Sequence, residues 1–247
     1  MDSLKDILTD IKILFTNGLQ LFPLSIASTM LFIGLFTANY AMLFFLVGFL
    51  IVSPATAALI NKLVDFICKA MNLTSPFTVR DTNICRVAIP FTTLANKTPS
   101  VPETVVISEW MGMTLFFFGY MITNGVKFID KESPSDSDKS KIDESKIITR
   151  KTQAGLSIAA AILLLGFIIY MRYKSGCESF MNEGINWLSR IIIIVVAVCF
   201  LGMGAGWYYA LSSVGEDRLS DLFGMANRML LPKVFGDKPI ACLPCAK

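Results

Sequence analysis

A run of 49 residues without a charged side chain, at positions 13–61, constrains the fold more than any other feature of this chain. Three shorter charge-free runs follow it, at 110–126, 152–171 and 191–215. A bilayer core about 30 Å thick needs roughly 20 apolar residues in a helix that rises about 1.5 Å per residue. The first run is therefore long enough for two crossings and each later run for about one, which predicts a membrane protein.

The composition supports this class and argues against several others. Of the 247 residues, 54% are hydrophobic and only 17% are charged, against roughly 25% charged residues in soluble domains. The net charge of +3 forms no clustered basic face, so no nucleic-acid partner is expected. The chain has no histidine, which removes the commonest general base and imidazole metal sites, so we expect neither an enzyme nor a cofactor. No small-residue cleavage site closes the first apolar run, so we expect the first span to be retained.

The apolar runs and the polar stretches between them divide the chain into nine segments. A polar cluster at 37–40 splits the first run into a hairpin, and apolar residues at helical spacing near both chain ends predict amphipathic interfacial helices. The predicted fold is all-α, with about five transmembrane helices: an N-terminal hairpin and three single spans. The segments are an amphipathic helix (1–18), the transmembrane hairpin (19–61), a Pro-rich extramembrane loop (62–103), transmembrane helix 3 (104–126), a charged flexible linker (127–151), transmembrane helix 4 (152–172), a short loop (173–189), transmembrane helix 5 (190–213), and an amphipathic helix with a cysteine-containing tail (214–247).

Four residues mark bends or ends of the predicted spans. Pro54 is expected to kink the second span, because proline cannot donate to the helix ladder. Glu109 and Trp110 stand at the start of the third span, and Lys127 closes it. The spans therefore have the charged and aromatic boundaries that are typical of membrane helices.

Gly202 and Gly206 form a GxxxG pattern in the fifth span. Two small residues four positions apart let a second helix approach closely. In a multispan protein we expect this contact within the chain, and a seam between two copies is the alternative. Cys199 in the same span is expected to be a small core residue.

Cys242 and Cys245 form a CxxC motif, the sharpest chemical signal in the chain. Such a pair can act as a redox dithiol or supply half of a four-thiolate zinc site. No second CxxC supplies the remaining ligands, so we expect no metal site but a structural tail or a local disulfide, with redox and metal or intermolecular bridging as alternatives. Asn72 and Asn96 begin Asn-x-Thr patterns, which are glycosylation acceptors if their loop reaches a secretory lumen.

The predicted spans contain no ionisable residue near their centres, and Glu109 is the only acidic residue close to membrane depth. Pumps and proton-coupled transporters need such groups as relays or counter-charges. Active transport is therefore disfavoured, whereas an oligomeric pore lined by hydroxyl groups remains an alternative. The candidate hydroxyl groups belong to Ser25, Ser28, Thr29, Ser53 and Thr56.

The C-terminal third carries a glycine-rich span that ends in aromatic residues, followed by short motifs and a tail with cysteines. The sequence is Gly202-Met-Gly-Ala-Gly206-Trp207-Tyr208-Tyr209, then Asp221-Leu-Phe-Gly224 and Leu231-Pro232. Over about 60 residues this resembles small multispan virion membrane proteins of large icosahedral DNA viruses. The resemblance implies a transmembrane minor capsid protein that ties an internal membrane to the capsid shell, located in the virion internal membrane or the host endoplasmic reticulum.

These observations lead to one functional hypothesis and two alternatives. The first is a structural multispan membrane protein that anchors a larger assembly to a bilayer, with the bilayer and other protein subunits as partners and no small-molecule substrate. The alternatives are a small oligomeric channel or carrier and a membrane-tethered thiol redox protein that uses Cys242 and Cys245.

Overall fold

The computed structural model describes residues 18, 20–36, 40–71, 77, 105–130, 144–174 and 187–214. Within those ranges every regular element is a helix and no strand is present, which confirms the all-α prediction for this part of the chain. The helices are α1 (Phe22–Phe36), α2 (Tyr40–Val47, a π-helical segment Gly48–Val52, and Ser53–Ala70), α3 (Glu109–Asp130), α4 (Glu144–Lys174) and α5 (Trp187–Val214).

Three of these helices are long and apolar enough to cross a membrane. They are Met42–Ala70 within α2, Lys151–Lys174 within α4, and Trp187–Ser213 within α5. The chain is therefore a membrane protein with three candidate spans, and the predicted count of five is not supported by length and composition. Helix α1 has only 15 residues, and α3 is less apolar because it includes residues such as Glu109 and Asn124.

Helix α3 lies at the centre of the bundle, in contact with α1, α2, α4 and α5. From Trp110 to Tyr120 every residue except Phe117 is buried. Its polar residues Thr114 and Asn124 are also buried, so they lie against protein within the bundle.

Pairs of contacting residues determine the direction of each helix relative to α3. Helices α2 and α4 run antiparallel to α3, and α5 runs parallel to it. The pairs are Phe45–Tyr120 and Asn61–Ile107 for α2, Gly125–Ile158 and Trp110–Arg172 for α4, and Gly112–Phe200 and Tyr120–Tyr208 for α5. The bundle thus has a Trp110 end, where α3 begins and α4 ends, and a Lys127 end, where α3 approaches its own terminus.

The helix ends differ from the predicted segment boundaries. Helix α3 begins at Glu109 rather than at 104, and it continues to Asp130 inside the predicted linker. Helix α4 begins at Glu144, also inside that linker, and α2 continues to Ala70, beyond the predicted end of the hairpin. A helix satisfies its own backbone hydrogen bonds, so charged residues can extend it past the apolar core. The predicted amphipathic helices lie outside the described residues, apart from Gly18 and Val214.

A π-helical segment interrupts α2 directly before Pro54. The Ser53 N–H donates to the Gly48 carbonyl, five residues back, instead of to the usual fourth. Pro54 has no N–H and its ring would press on the carbonyl of Leu50 in a regular helix, so a wider turn relieves the conflict. A π-helical turn therefore precedes Pro54 in α2, while the kink expected at Pro54 stays a prediction.

Candidate functional site

Asn61 holds the chain that leads into the central helix. Its Nδ2 donates to the Ile107 carbonyl at 2.9 Å, and its Oδ1 accepts from the Val106 and Ile107 N–H groups at 3.0 and 3.3 Å. Ser108 then accepts from the Met111 N–H at 3.1 Å, as an N-cap side chain does. Together these bonds join α2 to the start of α3 and explain why α3 begins at Glu109.

Arg172 lies beside this junction and is only 4% exposed. Its guanidinium carbon is 4.4 Å from the centre of the Trp110 ring, and its Nη2 donates to the Ser108 hydroxyl at 3.4 Å. The Trp110 indole N–H donates in turn to the Gln20 carbonyl at 3.3 Å. We call Asn61, Ser108, Trp110 and Arg172 the polar layer. It connects α1, α2, α3 and α4 at the Trp110 end.

Trp110, which the sequence placed at the start of the third span, lies inside the bundle. Its side chain is fully buried, and Phe22 of α1 packs against it at 6.3 Å between ring centres. A cation above a desolvated indole ring is stabilised by up to about 2 kcal/mol, which helps to hold a guanidinium inside the bundle. Trp110 is therefore a structural member of the polar layer that the sequence alone did not identify.

Aromatic side chains fill the bundle between the polar layer and the Lys127 end. The closest pairs join α2, α3 and α5 with ring centres 4.9 to 6.1 Å apart. They are Phe45–Tyr120, Phe44–Trp207, Tyr120–Tyr208, Phe45–Phe116 and Phe116–Trp207. Edge and offset ring contacts of this kind stabilise a core beyond the area they bury, so these rings join α2, α3 and α5 into one packed core.

The hydroxyl groups proposed for a pore do not share a surface. Ser28 donates to the Ser25 carbonyl and Thr56 to the Val52 carbonyl, so both hydroxyls bond within their own helices. Ser25 and Thr29 face outward on α1, whereas Ser53 is fully buried, and its Oγ has no hydrogen-bond partner among the described residues. The structure therefore does not bring these five hydroxyls together.

The close approach between α3 and α5 occurs at glycines other than the predicted pair. A Cβ at Gly204 would overlap the backbone carbonyl of Phe116, and a Cβ at Gly119 would overlap that of Leu201. Around Gly202 and Gly206, by contrast, the described structure leaves open space. Within the chain, the close helix contact that was expected at Gly202 and Gly206 is therefore made by Gly204 instead.

The thiols and the modification patterns give no assembled site in the described part of the chain. Cys199 is an exposed free thiol on α5 and not the core residue that was expected, and Cys68 is a free thiol on α2. Among the described residues, no group of three or more metal-ligating side chains comes together. Cys242, Cys245, Asn72 and Asn96 lie outside the described residues.

The sequence offered one weak signal for the polar layer. Asn61 ends the long charge-free run and Arg172 ends the fourth predicted span, so both were visible as boundary residues. Their partners are 46 and 64 positions away along the chain, and no spacing rule connects them.

No protein family, no characterised protein and no solved structure matches this chain, so the polar layer and the glycine contact are interpreted from their own geometry.

Proposed function

We propose that all five helices cross the bilayer, with α3 enclosed by the others. Support comes from the spacing of charged residues on two neighbouring helices. Glu109 and Lys127 bound a charge-free stretch of α3 about 27 Å long, and Lys151 and Arg172 bound one of about 31 Å on α4. Arg172 packs on Trp110, so the two stretches lie side by side and match a hydrocarbon core of about 30 Å.

Side-specific labelling distinguishes five crossings from three. In sealed vesicles of a cysteine-free variant, Lys62→Cys and Lys174→Cys are expected to react with an impermeant maleimide from the same side. If only α2, α4 and α5 cross, these two positions lie on opposite sides. Lys127→Cys and Lys151→Cys serve as the matched control pair, because both schemes place them together. Labelling of Lys62→Cys and Lys174→Cys from opposite sides would overturn the five-crossing arrangement.

We infer that the protein is a structural membrane anchor for a larger assembly rather than an enzyme or a transporter. The observation that carries this proposal is the aromatic packing of the membrane-depth core, where Phe45, Phe116 and Tyr120 are fully buried. Thr114 and Thr123 lie on the central helix at the same depth, and both donate to their own backbone. A closely packed aromatic core of this kind supports a structural role, in which the extramembrane segments make the contacts with partners.

The resemblance of the C-terminal third to virion membrane proteins suggests which assembly this is. On that basis we propose a minor capsid protein that joins an internal virion membrane to the capsid shell. The partners are then the bilayer and neighbouring capsid subunits, and the location is the virion internal membrane or the host endoplasmic reticulum.

Native purification followed by hydrogen exchange tests the anchoring proposal. We expect protein subunits to co-purify in a fixed ratio, and amides in segments 72–104 and 215–247 to exchange more slowly in the assembly than in the isolated protein. Equal exchange in both forms would contradict the proposal.

Two activity measurements separate the alternatives from the anchor. Solute flux in vesicles that is lost on replacing Pro54 or Glu109 would identify a channel or carrier. Thiol–disulfide exchange that is lost in a Cys242→Ser/Cys245→Ser variant would identify a redox protein. The anchoring proposal expects neither activity.

A further inference from the structure

An exposed apolar stripe runs along the C-terminal half of α2. The stripe consists of Leu59, Leu63, Phe66, Ile67 and Met71, which are exposed by 67, 56, 69, 44 and 64%. Another face of the same segment is held by the protein, since Val64 packs against a cluster of Phe77, Val106 and Ile193. This half of α2 is therefore fixed in place while its stripe faces away from the described part of the chain.

Lipid alone does not explain the outer part of this stripe. With the bilayer placed as proposed above, on which this inference rests, Lys62 and Glu109 lie at one boundary of the hydrocarbon core. Residues 63–70 carry α2 about 12 Å further, whereas the headgroup layer on each side is only about 5–7 Å deep. Phe66 and Ile67 thus reach the outer headgroup region, where large exposed apolar side chains mark an interaction site.

We propose that residues 3–17 cover the stripe as an amphipathic helix packed antiparallel to α2. The chain enters α1 at the same end of the bundle as the stripe, because the Gln20 carbonyl accepts from Trp110, and Phe22 and Ile60 of α2 both pack against the cluster that contains Trp110. The residues before α1 include an apolar face at helical spacing of matching length. That face consists of Leu4, Ile7, Leu8, Ile11, Leu14 and Phe15.

Charge complementarity determines the antiparallel direction. On a helical projection Asp6 and Asp10 flank one side of the apolar face, and Lys62 and Lys69 flank the same side of the stripe. Two antiparallel helices that pack face to face bring these flanks together, whereas parallel helices separate them. Asp65 pairs with Lys69 at 2.5 Å and lies on the side of α2 opposite the stripe, so Lys62 is the cation nearest to the incoming acids.

The remaining segments fit the stripe less well. The second predicted amphipathic stretch, at 216–231, follows α5 and therefore starts from the Lys127 end. A membrane-surface position for residues 3–17 is also disfavoured, because their polar face has as many acidic as basic residues and attracts anionic lipid only weakly.

Disulfide cross-linking in the full-length chain tests the docking. In a background with all six cysteines replaced by serine, Leu14→Cys paired with Phe66→Cys is expected to form an intramolecular disulfide on mild oxidation. The matched control pairs Ile13→Cys, on the opposite helix face, with Phe66→Cys. The expected yield is about tenfold higher for Leu14, because docking raises the effective concentration of the two facing thiols. Equal yields, or disulfides between two chains, would overturn the proposal.

A labelling measurement separates docking from burial in lipid. In vesicles, an impermeant maleimide is expected to react with Phe66→Cys several-fold faster when Ile11 and Leu14 are both replaced by aspartate. An unchanged slow rate would mean that lipid covers the stripe, and an unchanged fast rate would mean that nothing does, so either result would refute docking. The five-crossing arrangement is tested at Lys62 and Lys174 by a separate readout, so a failure of that arrangement and a failure of the docking are distinguishable.

Discussion

Replacing Gly204 with alanine is expected to destabilise the bundle by about 3 kcal/mol, the upper part of the range for overpacking a close contact. The added methyl group overlaps the backbone carbonyl of Phe116 and reaches the Tyr120 N–H, and neither backbone group can move without separating α3 from α5. A flexible side chain could have rotated away, whereas backbone of a central helix cannot. Detergent-induced unfolding in micelles, followed by far-UV circular dichroism, measures the loss.

The matched controls are Gly202→Ala and Gly206→Ala in the same helix. Both positions face open space, so the only expected effect is a gain of up to about 1 kcal/mol from better helix propensity. A loss at Gly202 or Gly206 comparable to the loss at Gly204 would place the helix contact on the GxxxG pair instead. Because those two glycines are open within the chain, such a loss in a protein that self-associates would also point to a seam between copies.

Replacing Trp110 with alanine is expected to cost about 4 kcal/mol, as truncation of a large buried aromatic does. The indole is fully buried, bonds to the Gln20 carbonyl just before α1 and lies under the Arg172 guanidinium. Its removal leaves a cavity at the junction of four helices and takes away the ring that faces the buried cation. Thermal or detergent unfolding of the purified protein gives the change in stability.

Further variants distinguish the loss of side-chain volume at Trp110 from the loss of its hydrogen bond and its contact with Arg172. Trp110→Phe keeps an aromatic face for Arg172 but loses the bond to Gln20, so a loss of about 1–2 kcal/mol is expected. Trp187→Ala is the matched control, because that indole is 73% exposed on α5. A double-mutant cycle with Arg172→Met is expected to show a coupling of about 1–2 kcal/mol. Equal losses at Trp110 and Trp187 would refute the structural role of the polar layer.

Membrane character could be predicted from the sequence because it depends on a local property. A long apolar stretch without charge, such as residues 13–61, marks candidate membrane spans without any knowledge of its neighbours. The number of crossings could not be settled in the same way. Hydropathy reports the preference of an isolated helix for lipid. Thr114 and Asn124 lower the hydropathy of α3, yet both are buried against neighbouring helices.

The glycine contact shows why a spacing rule was insufficient. Gly202 and Gly206 lie on one face of α5 because they are about one turn apart, and Gly204 lies roughly opposite to them at 100° per residue. Both faces are smooth enough to pack, so the motif identified a helix capable of close approach but not the side that is used. The position of α3 selected the face of Gly204.

From the sequence alone one could predict that this is a membrane protein, that the described part of the chain is all-helical, and approximately where its apolar helices lie. These properties depend on charge content and periodicity, which act within one segment. Only the tertiary structure decided which helix is central, which glycine forms the contact, and that Asn61 and Arg172 meet the start of α3. Those features depend on residues tens of positions apart that must fill the same space. They follow from packing and hydrogen-bond satisfaction across the bundle, which no local pattern encodes.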